Sequence, residues 1–303
     1  MIQIIARRNL FLGISFVLVA AALLMVILFG FREGIDFKGG TLWRIGVADS
    51  GAGLESVQRV FQEQLKVDAR VTRDTSGQSF LARLPSISEE EHGRFSKALK
   101  QVYPSFQELS FESIGPSVGA ELKGRAELAI VLVLIGISLY IAFAFRKVYR
   151  PVSSWKYGWV TLITLFHDVV IPAGLLAILG RYGAVEIDGN FVVAILVVMG
   201  FSVHDTIVVF DRIRENLSSD RGKSEFSDIV NRSVNQTLAR SINTSFTLIL
   251  VLLAILIAGP LNLRYFVLTL LVGVSTGVYS SIFVASPLLY VWHSLSGRHS
   301  GRS

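Results

Sequence analysis

The chain has 303 residues, of which 51% are hydrophobic and 17% charged, with a mean hydropathy of +0.55 and a formal net charge of +6. A soluble domain of this length could not bury so much apolar surface, so the composition indicates a multi-span membrane protein. The absence of cysteine excludes disulfides, thiolate metal sites, iron–sulfur ligation and thiol nucleophiles. The basic residues are spread over short loops, which favours loop charge over a nucleic-acid surface.

Apolar segments of about 20 residues are long enough to cross a bilayer as helices. Arg7 and Arg8 precede the first one, as in a signal peptide. Its apolar run is longer than a usual signal sequence and further spans follow, so we expect a retained anchor. The six predicted spans are 10–30, 126–145, 157–180, 190–211, 241–258 and 265–292.

The orientation follows from Lys and Arg in the short loops. One side carries Arg181 and Arg264, and the other carries many more basic residues. We therefore expect both termini in the cytoplasm, and a division into 1–30 (N-terminus and first span), 31–125 (outward domain), 126–292 (spans two to six) and 293–303 (cytoplasmic tail). The residues that set the cytoplasmic side are Arg7, Arg8, Arg146, Lys147, Arg150, Lys156, the basic segment 212–240, Arg298 and Arg302.

Residues 31–125 have the pattern of a small α+β domain. GGTLWRIGV, ARVTR, SFLARL and FQELSFESI are strand-like, whereas LESVQRVFQEQLK and ISEEEHGRFSKALKQVY have helical spacing. The order β-α-β-β-α-β predicts a ferredoxin-like fold. Ser86 and Glu89 are spaced as a capping box for the second helix, and His92 is expected on its solvated face. The domain contains no recognisable catalytic constellation.

Two His-Asp pairs lie inside apolar spans: His167-Asp168 in the third and His204-Asp205 in the fourth. An aspartate at mid-membrane costs about 2.5–3.5 kcal/mol on insertion scales, so each marks a candidate functional site. Each also has a purely structural alternative. Asp205 could be a buried carboxyl hydrogen-bonded to Ser202, and Asp168 could belong to a bend made by Pro172.

The fifth span offers a counter-charge in Arg240. Gln236, Thr237, Arg240, Asn243, Thr244 and Thr247 recur at spacings of three and four and predict one polar stripe. Because spans four and five are antiparallel neighbours, Arg240 could approach Asp205 through the bundle. The alternative is an arginine that extends to the membrane interface.

Other patterns indicate packing rather than chemistry. Gly273 and Gly277, four residues apart in the sixth span, predict a close helix contact. The chain has no P-loop, G-x-S-x-G or H-E-x-x-H motif, so we expect neither an enzyme nor a cofactor or metal site. Any energy it uses should come from an ion gradient or a partner.

Three longer motifs are GIDFKGGT at 34–41, ESIGPSVGAEL at 112–122 and GFSVHDTIVVFDRIREN at 200–216. Through them the chain resembles the SecD/SecF family of protein-export membrane proteins, in the resistance-nodulation-division superfamily, and within it the SecF-type subunits. The resemblance extends over essentially the full length. It implies an inner-membrane partner of SecD that uses the proton motive force to help the SecYEG channel and SecA export preproteins.

The resemblance also assigns residues. The family's intramembrane acid falls on Asp205 and its fifth-span arginine on Arg240, while His204 stands where many relatives have asparagine. The proton-pathway candidates are therefore Asp205, Arg240, His204, Asp168 and His167. Motif residues with an expected structural role are Asp36, Gly39, Gly40 and Gly115, and Asp211 and Arg212 at the cytoplasmic end of span four.

Two other functions remain open. The chain could be a passive scaffold or assembly factor of the translocon, in which Asp205 and Arg240 only hold helices together. It could also be half of a small-solute exporter of the same superfamily, although the outward domain leaves little room for a drug pocket. The coupling ion, proton or sodium, is not fixed by the sequence.

Overall fold

The computed structural model describes residues 2–49, 52–73, 79–146, 152–183, 185–220 and 223–300, without the side chains of residues 261 and 296–300. Of the basic residues that set the predicted orientation, Lys147, Arg150 and Arg302 lie outside the described residues, as does the side chain of Arg298. The chain divides into two compact units: Met1–Arg32 with Ala129–Ser303, and Glu33–Leu128.

The smaller unit is a sheet covered on one face by two helices. Its four strands have the order β2-β3-β1-β4, and all neighbouring pairs are antiparallel. This confirms the predicted ferredoxin-like topology. The elements are α2 (Ile35–Lys38), β1 (Gly40–Gly46), α3 (Leu54–Arg59) with a π-helical turn (Val60–Gln64), β2 (Arg70–Arg73), β3 (Ser79–Leu84), α4 (Glu89–Val102) and β4 (Gln107–Ile114).

The central strand β1 organises the core of this unit. Thr41, Trp43 and Ile45 alternate along it and are all 0% exposed, as the period of two requires for one buried sheet face. Trp43 lies opposite Ala82 of β3 and Phe111 of β4. The indole is therefore enclosed by both neighbouring strands and by the helices above them.

The start of α4 differs from the prediction. Ser88, rather than Ser86, is the N-cap: its hydroxyl accepts from the backbone N–H of Glu91 at 3.3 Å, and the Glu91 carboxylate accepts from the backbone N–H of Ser88 at 3.0 Å. The preceding residue is still bound to the sheet, because the carbonyl of Ile87 accepts from the Ser113 hydroxyl at 3.1 Å. That contact keeps the chain extended until Ser88.

His92 is not the solvated side chain that the sequence suggested. Its side chain is 15% exposed, its ring stacks on Phe111 with 3.8 Å between centroids, and its Nε2 lies 2.6 Å from Glu108 Oε2. The same Glu108 oxygen accepts from the Trp43 indole at 2.9 Å. His92 therefore helps to fasten α4 to the sheet, because the first turns of this helix lie over Trp43.

The glycines of the first motif allow a close backbone contact within this unit. Gly39 and Gly40 have φ values of +74° and +134°, which L side chains rarely adopt. A Cβ at Gly39 would lie 2.7 Å from the Pro116 Cα, and one at Gly119 would lie 2.8 Å from the Gly39 nitrogen. Gly39, Gly40 and Gly119 thus adopt conformations or contacts that favour glycine, whereas a Cβ at Gly115, between β4 and the helix that starts at Pro116, would meet no atom within 4 Å.

An ion pair also lies near this turn, between Glu33, outside the spans, and the first part of α5 (Pro116–Ala144). Lys123 donates to Glu33 at 2.7 Å, and this hydrogen bond lowers the pKa of the glutamate carboxyl below its ordinary value. Asp36 lies in the first turn of α2. The close backbone contacts of the glycines and the bond between Lys123 and Glu33 therefore hold the segments GIDFKGGT and ESIGPSVGAEL together.

The larger unit is helical. Among the described residues, six helices are long and apolar enough to cross a membrane, which confirms the predicted number of spans. They are α1 (Arg8–Phe29) after a 3₁₀ turn (Ile5–Arg7), α5 (Pro116–Ala144), α6 (Ser154–Arg181), α7 (Gly189–Asp220), α8 (Phe226–Ala258), and α9 (Arg264–Ser280), which continues through a π-helical turn (Ser281–Ala285) into α10 (Ser286–Ser300).

Helices α6, α7 and α9 form the centre of this unit. About half of the apolar window is buried in each of the three corresponding spans, at 50%, 50% and 56%, against 6% in α5 and 11% in the first span. Small residues let these helices approach closely. A Cβ at Gly174 of α6 would lie 2.6 Å from Ala22 Cα in α1, and one at Gly273 of α9 would overlap the methyl carbons of Val198 in α7.

Candidate functional site

Asp205 lies near the middle of α7 and is 2% exposed. Ser245 of α8 donates its hydroxyl hydrogen to Asp205 Oδ2 at 3.3 Å. The adjacent His204 places Nδ1 3.6 Å from Asp205 Oδ1, while 70% of the histidine side chain is exposed. The acid is thus enclosed by helices, and its neighbour reaches the surface of this chain.

Arg240 does not form an ion pair with Asp205. In the part of the chain that the structure describes, no carboxylate oxygen lies within 4 Å of its guanidinium, and the residue is exposed. Since successive residues of a helix are about 100° apart, a side chain five positions before Ser245 lies on a different face of α8. The partner of Asp205 on α8 is therefore the neutral hydroxyl of Ser245, and not the predicted Arg240.

A different stripe of α8 faces α7. Ser233, Thr237, Ser241 and Ser245 follow one another at intervals of four, and all are buried. Most of the predicted stripe, by contrast, is exposed: Gln236, Arg240, Asn243, Thr244 and Thr247. The repeat of small hydroxyl residues was the signal that could have identified the inward face, because close helix contacts in membranes favour small side chains.

Arg240 lines a cavity of about 430 Å³ together with Asp211, Arg212, Glu215 and Gln236. The two acids already have partners, since Arg214 lies 2.6 Å from Asp211 and Arg212 lies 2.6 Å from Glu215. The segment Asp211–Asn216 was predicted to end span four, but α7 continues to Asp220. The motif therefore forms part of a charged cavity between α7 and α8.

Asn216 ties the two helices of this cavity together. It is 9% exposed, and its side-chain amide donates to Ser233 Oγ and to Gln236 Oε1, both at 2.8 Å. Arg212 Nε donates to the same Gln236 oxygen at 2.7 Å. These bonds fix α7 against α8 on the Arg240 side of Asp205.

Asp168 is the most enclosed acid of the larger unit, at 0% exposure. Its Oδ2 accepts from Ser202 of α7 at 2.5 Å and from Ser280 of α9 at 2.7 Å, and its Oδ1 lies 2.8 Å from His167 Nδ1. Ser202 was considered as a partner for Asp205, but it binds Asp168 instead. Pro172 lies inside α6, which runs from Ser154 to Arg181, and it has no N–H to donate to the Asp168 carbonyl.

His167 is the remaining member of this cluster, and only one of its two ring nitrogens is hydrogen-bonded within the described residues. It is 3% exposed, and among the described residues its Nε2 has no hydrogen-bond partner. Its ring lies 6.2 Å from that of Tyr279 in α9. One turn along α7, Thr206 pairs with Ser281 at 2.9 Å, where the π-helical turn begins. The four residues His167, Asp168, Ser202 and Ser280 thus join α6, α7 and α9.

The two acids are chemically different. Asp168 is surrounded by donors from three helices, whereas Asp205 has one hydroxyl and a partly exposed imidazole. Within the described residues, no group of three His, Asp or Glu side chains is arranged to hold a metal ion.

The fold and site define a polytopic helical membrane protein with a small ferredoxin-like domain and two buried intramembrane carboxylates. A family model described as "Protein export membrane protein SecD/SecF, C-terminal" matches residues 94–295. The "Protein translocase subunit SecF" of Thermobaculum terrenum is 44% identical over 309 aligned residues, covering 97% of this chain and 95% of that protein. The chain therefore belongs to the SecD/SecF family and is a translocase subunit of that family.

Longer relatives contain the same region. The "Protein translocase subunit SecDF" of Thermus thermophilus is 36% identical, over 91% of this chain and 36% of that protein. The crystal structure of SecDF, described as a translocon-associated membrane protein from that organism, superposes with a TM-score of 0.80 at 33% identity. The match covers 96% of this chain but 38% of the solved one.

Proposed function

We propose that this chain is the SecF-type half of a SecD/SecF translocase in the cell inner membrane, and that it uses the proton motive force to help the SecYEG channel and SecA export preproteins. Asp205 is the proposed proton carrier. The observation that carries the proposal is that, among the described residues, no lysine or arginine nitrogen lies within 4 Å of this buried acid, whose ionisable neighbour is the exposed His204.

A charge in that position is sensitive to both protonation and voltage. An ionised aspartate at mid-membrane costs about 2.5–3.5 kcal/mol on insertion scales, and protonation removes the charge. Moving one charge through the membrane field is worth about 2.3 kcal/mol per 100 mV. A proton on Asp205 can therefore bias α7 between two arrangements relative to α8, which is the requirement for a two-state device.

Exposed polar side chains next to Asp205 favour a contact with a partner subunit. His204, Arg240, Asn243 and Thr247 are exposed on α7 and α8, within helices long enough to span the membrane. Polar side chains at that depth usually face a protein interior or a watery cavity rather than lipid. Because the Thermus relative carries a region like this chain within a much longer SecDF polypeptide, we propose that SecD covers this surface.

Within this proposal, His167 and Asp168 form the inner part of the pathway. They do not contact Asp205, but Ser202 lies on α7 one turn before it and donates to Asp168. A change in the protonation of Asp205 that moves α7 would therefore also act on α6 and α9. Among the described residues, the imidazole Nε2 has no hydrogen-bond partner.

The proposed orientation rests on charge. Arg7 and Arg8 precede the first span, and Lys156 lies at the start of the third, on the same side. By the positive-inside rule we place both termini in the cytoplasm and residues 31–125 outside. The ferredoxin-like unit would then lie where an exported polypeptide emerges.

The test is preprotein export by membrane vesicles that contain SecYEG, SecA, the partner SecD and either the wild-type chain or D205N. We expect D205N to assemble with SecD yet lose the part of export that depends on the proton gradient. The matched control is D188N, because Asp188 precedes the same helix and caps it through Phe191 N–H at 2.9 Å, an acceptor that asparagine retains. Unchanged gradient dependence in D205N would refute the proton role.

A second candidate function is a passive scaffold of the translocon. The complete hydrogen bonding of Asp168 favours such a role for at least that residue. In a scaffold, D205N would export normally whenever it assembles, whereas D168N would lose assembly and export together. Measuring complex formation beside export in the same vesicles separates the two functions.

A further inference from the structure

The larger unit contains a groove between the end of α5 and the start of α6. Its volume is about 530 Å³, which is in the range of small-molecule sites. On α5 the lining residues Ser138 and Ala142 are four apart and therefore share one face of the helix, and Arg146 lies two residues beyond its end. On α6 the walls are Trp155, Gly158 and Trp159.

Aromatic packing beside the groove fixes its shape. Phe145, 1% exposed, stacks on Tyr157 with 4.9 Å between centroids and an interplanar angle of 4°. This contact holds the end of α5 against α6. Gly158 leaves space on α6, because a Cβ there would meet no atom closer than Ile141 Cγ2 at 3.9 Å. The groove is therefore bounded by packed residues, and it is not simply a gap between two loose helices.

The rim of the groove is positively charged. Arg146 is exposed, and in the described part of the chain no carboxylate oxygen lies within 4 Å of its guanidinium. The group is held in place over the Phe143 ring, 3.8 Å from its centroid, and donates to the Phe143 carbonyl at 3.3 Å. The hydroxyl of Ser153, at the other wall, makes no capping bond to α6.

The depth of the groove points to lipid. Trp155 and Trp159 are 76% and 53% exposed at the first turns of a membrane-spanning helix, the level at which tryptophans border the headgroup region. Basic pockets between helices at this level bind anionic lipid headgroups. An apolar groove that ends in an arginine with no carboxylate partner among the described residues matches a molecule with an acyl chain and a phosphate.

We propose that this groove binds one anionic phospholipid, with its phosphate against Arg146 and the Ser153 hydroxyl and an acyl chain along the stripe from Ala142 to Ser138. Only 6% of the apolar window of α5 is buried in the chain itself, so a bound lipid would add contacts between α5 and α6. The proposal is independent of the proton role of Asp205.

The experiment is native mass spectrometry of the full-length chain, delipidated in detergent and titrated with phosphatidylglycerol or phosphatidylcholine. We expect the wild type to retain one phosphatidylglycerol in preference to phosphatidylcholine. One basic side chain near a membrane surface contributes about a fivefold gain in affinity, so R146Q should lower phosphatidylglycerol retention about fivefold and leave phosphatidylcholine unchanged. W159A should weaken retention of both lipids.

Two controls match these variants. R7Q removes an exposed arginine outside the groove, and F166A removes an aromatic side chain, 53% exposed, from another part of α6. Both should retain phosphatidylglycerol like the wild type. Equal loss in R7Q and R146Q would reduce the effect to general surface charge and overturn the proposal, as would equal retention of the two lipids by the wild type.

Two further arms identify the occupant. Glycerol 3-phosphate added at the same concentration should not displace the lipid, and full displacement would show an anion site without an acyl-chain groove. The titration is repeated on the complex with SecD. Retained phosphatidylglycerol supports the proposal, whereas its complete exclusion would show that the partner protein fills the groove and would overturn it.

Discussion

Ser245 of α8 donates a hydrogen bond to the buried carboxylate of Asp205 at 3.3 Å, although the charged Arg240 lies on the same helix. Replacing the serine by alanine leaves a buried acceptor without this donor. Such a loss costs about 1–3 kcal/mol. We therefore expect S245A to lower the thermal unfolding temperature of the detergent-solubilised chain and to reduce gradient-dependent export.

Ser241, one turn earlier on the same buried stripe, provides the control. It is 2% exposed, and its hydroxyl has no hydrogen-bond partner among the described residues. S241A removes an unsatisfied polar group, so its stability should equal or exceed that of the wild type. Equal destabilisation by S241A and S245A would contradict the assignment of Ser245 as the partner of Asp205.

The Asp168 cluster should behave as one unit. S202A and S280A each remove one donor from an acid that is 0% exposed, so each should destabilise the protein by about 1–3 kcal/mol. The double variant should differ from the sum, because both hydroxyls bind the same oxygen. Thermal unfolding of the four proteins gives the coupling directly.

Ser275 separates this effect from a general loss of hydroxyl groups in α9. It is exposed, and its hydroxyl donates to the carbonyl of Leu271 in its own helix at 2.7 Å. S275A should stay within about 0.5 kcal/mol of the wild type, as surface substitutions usually do. Strict additivity of S202A and S280A would argue that the two serines do not share Asp168.

Gly273 of α9 packs directly against Val198 of α7. G273A places a methyl group against both methyl carbons of Val198, whose β-branched side chain is restricted in rotation. Overpacking of this kind costs about 1–3 kcal/mol. We expect a lower unfolding temperature for G273A and a partial recovery in the double variant with V198A.

The glycine control lies in α5. A Cβ at Gly136 would meet no atom within 4 Å, so G136A should be neutral or stabilising by up to about 1 kcal/mol through the better helix propensity of alanine. If G273A proved as harmless as G136A, or if V198A gave no recovery, the close packing of α7 and α9 would be refuted.

Glu108 links the sheet and α4 in the ferredoxin-like unit. Its Oε2 accepts from the Trp43 indole and lies 2.6 Å from His92 Nε2, so E108A leaves a fully buried indole N–H without its acceptor. We expect a loss of about 1–3 kcal/mol and faster amide hydrogen exchange in β1 and α4. Hydrogen-exchange mass spectrometry of the full-length chain measures this unit separately from the helices.

Glu112, on the same strand, is the matched acid for this experiment. It is exposed and lies opposite Leu42 in β1, away from Trp43. E112A should leave the exchange rates of β1 and α4 unchanged. Similar acceleration in both variants would show that charge on β4, rather than the bond to Trp43, protects the unit.

Local sequence patterns were sufficient to predict the membrane spans and the topology of the small domain. The six apolar runs predicted the spans, because a bilayer demands about 20 apolar residues from any helix that crosses it. The order of strand-like and helical segments predicted the ferredoxin-like sheet. Cap positions were less well defined, since the hydrogen bond from Ser113 to Ile87, which delays the start of α4, joins residues far apart in sequence.

The candidate acids could likewise be identified from the sequence, since a carboxyl group inside an apolar span is costly whichever face of the helix it lies on. Their partners were not. Arg240 and Ser245 are both compatible with an antiparallel neighbour of α7, and the rotation of α8 about its axis decides between them. That rotation is fixed by contacts between α8 and α7 along the buried stripe, where Ser233 accepts from Asn216 and Ser245 donates to Asp205. The sequence by itself therefore determined the spans, the domain topology and the buried acids, whereas the tertiary structure decided which side chains surround each acid.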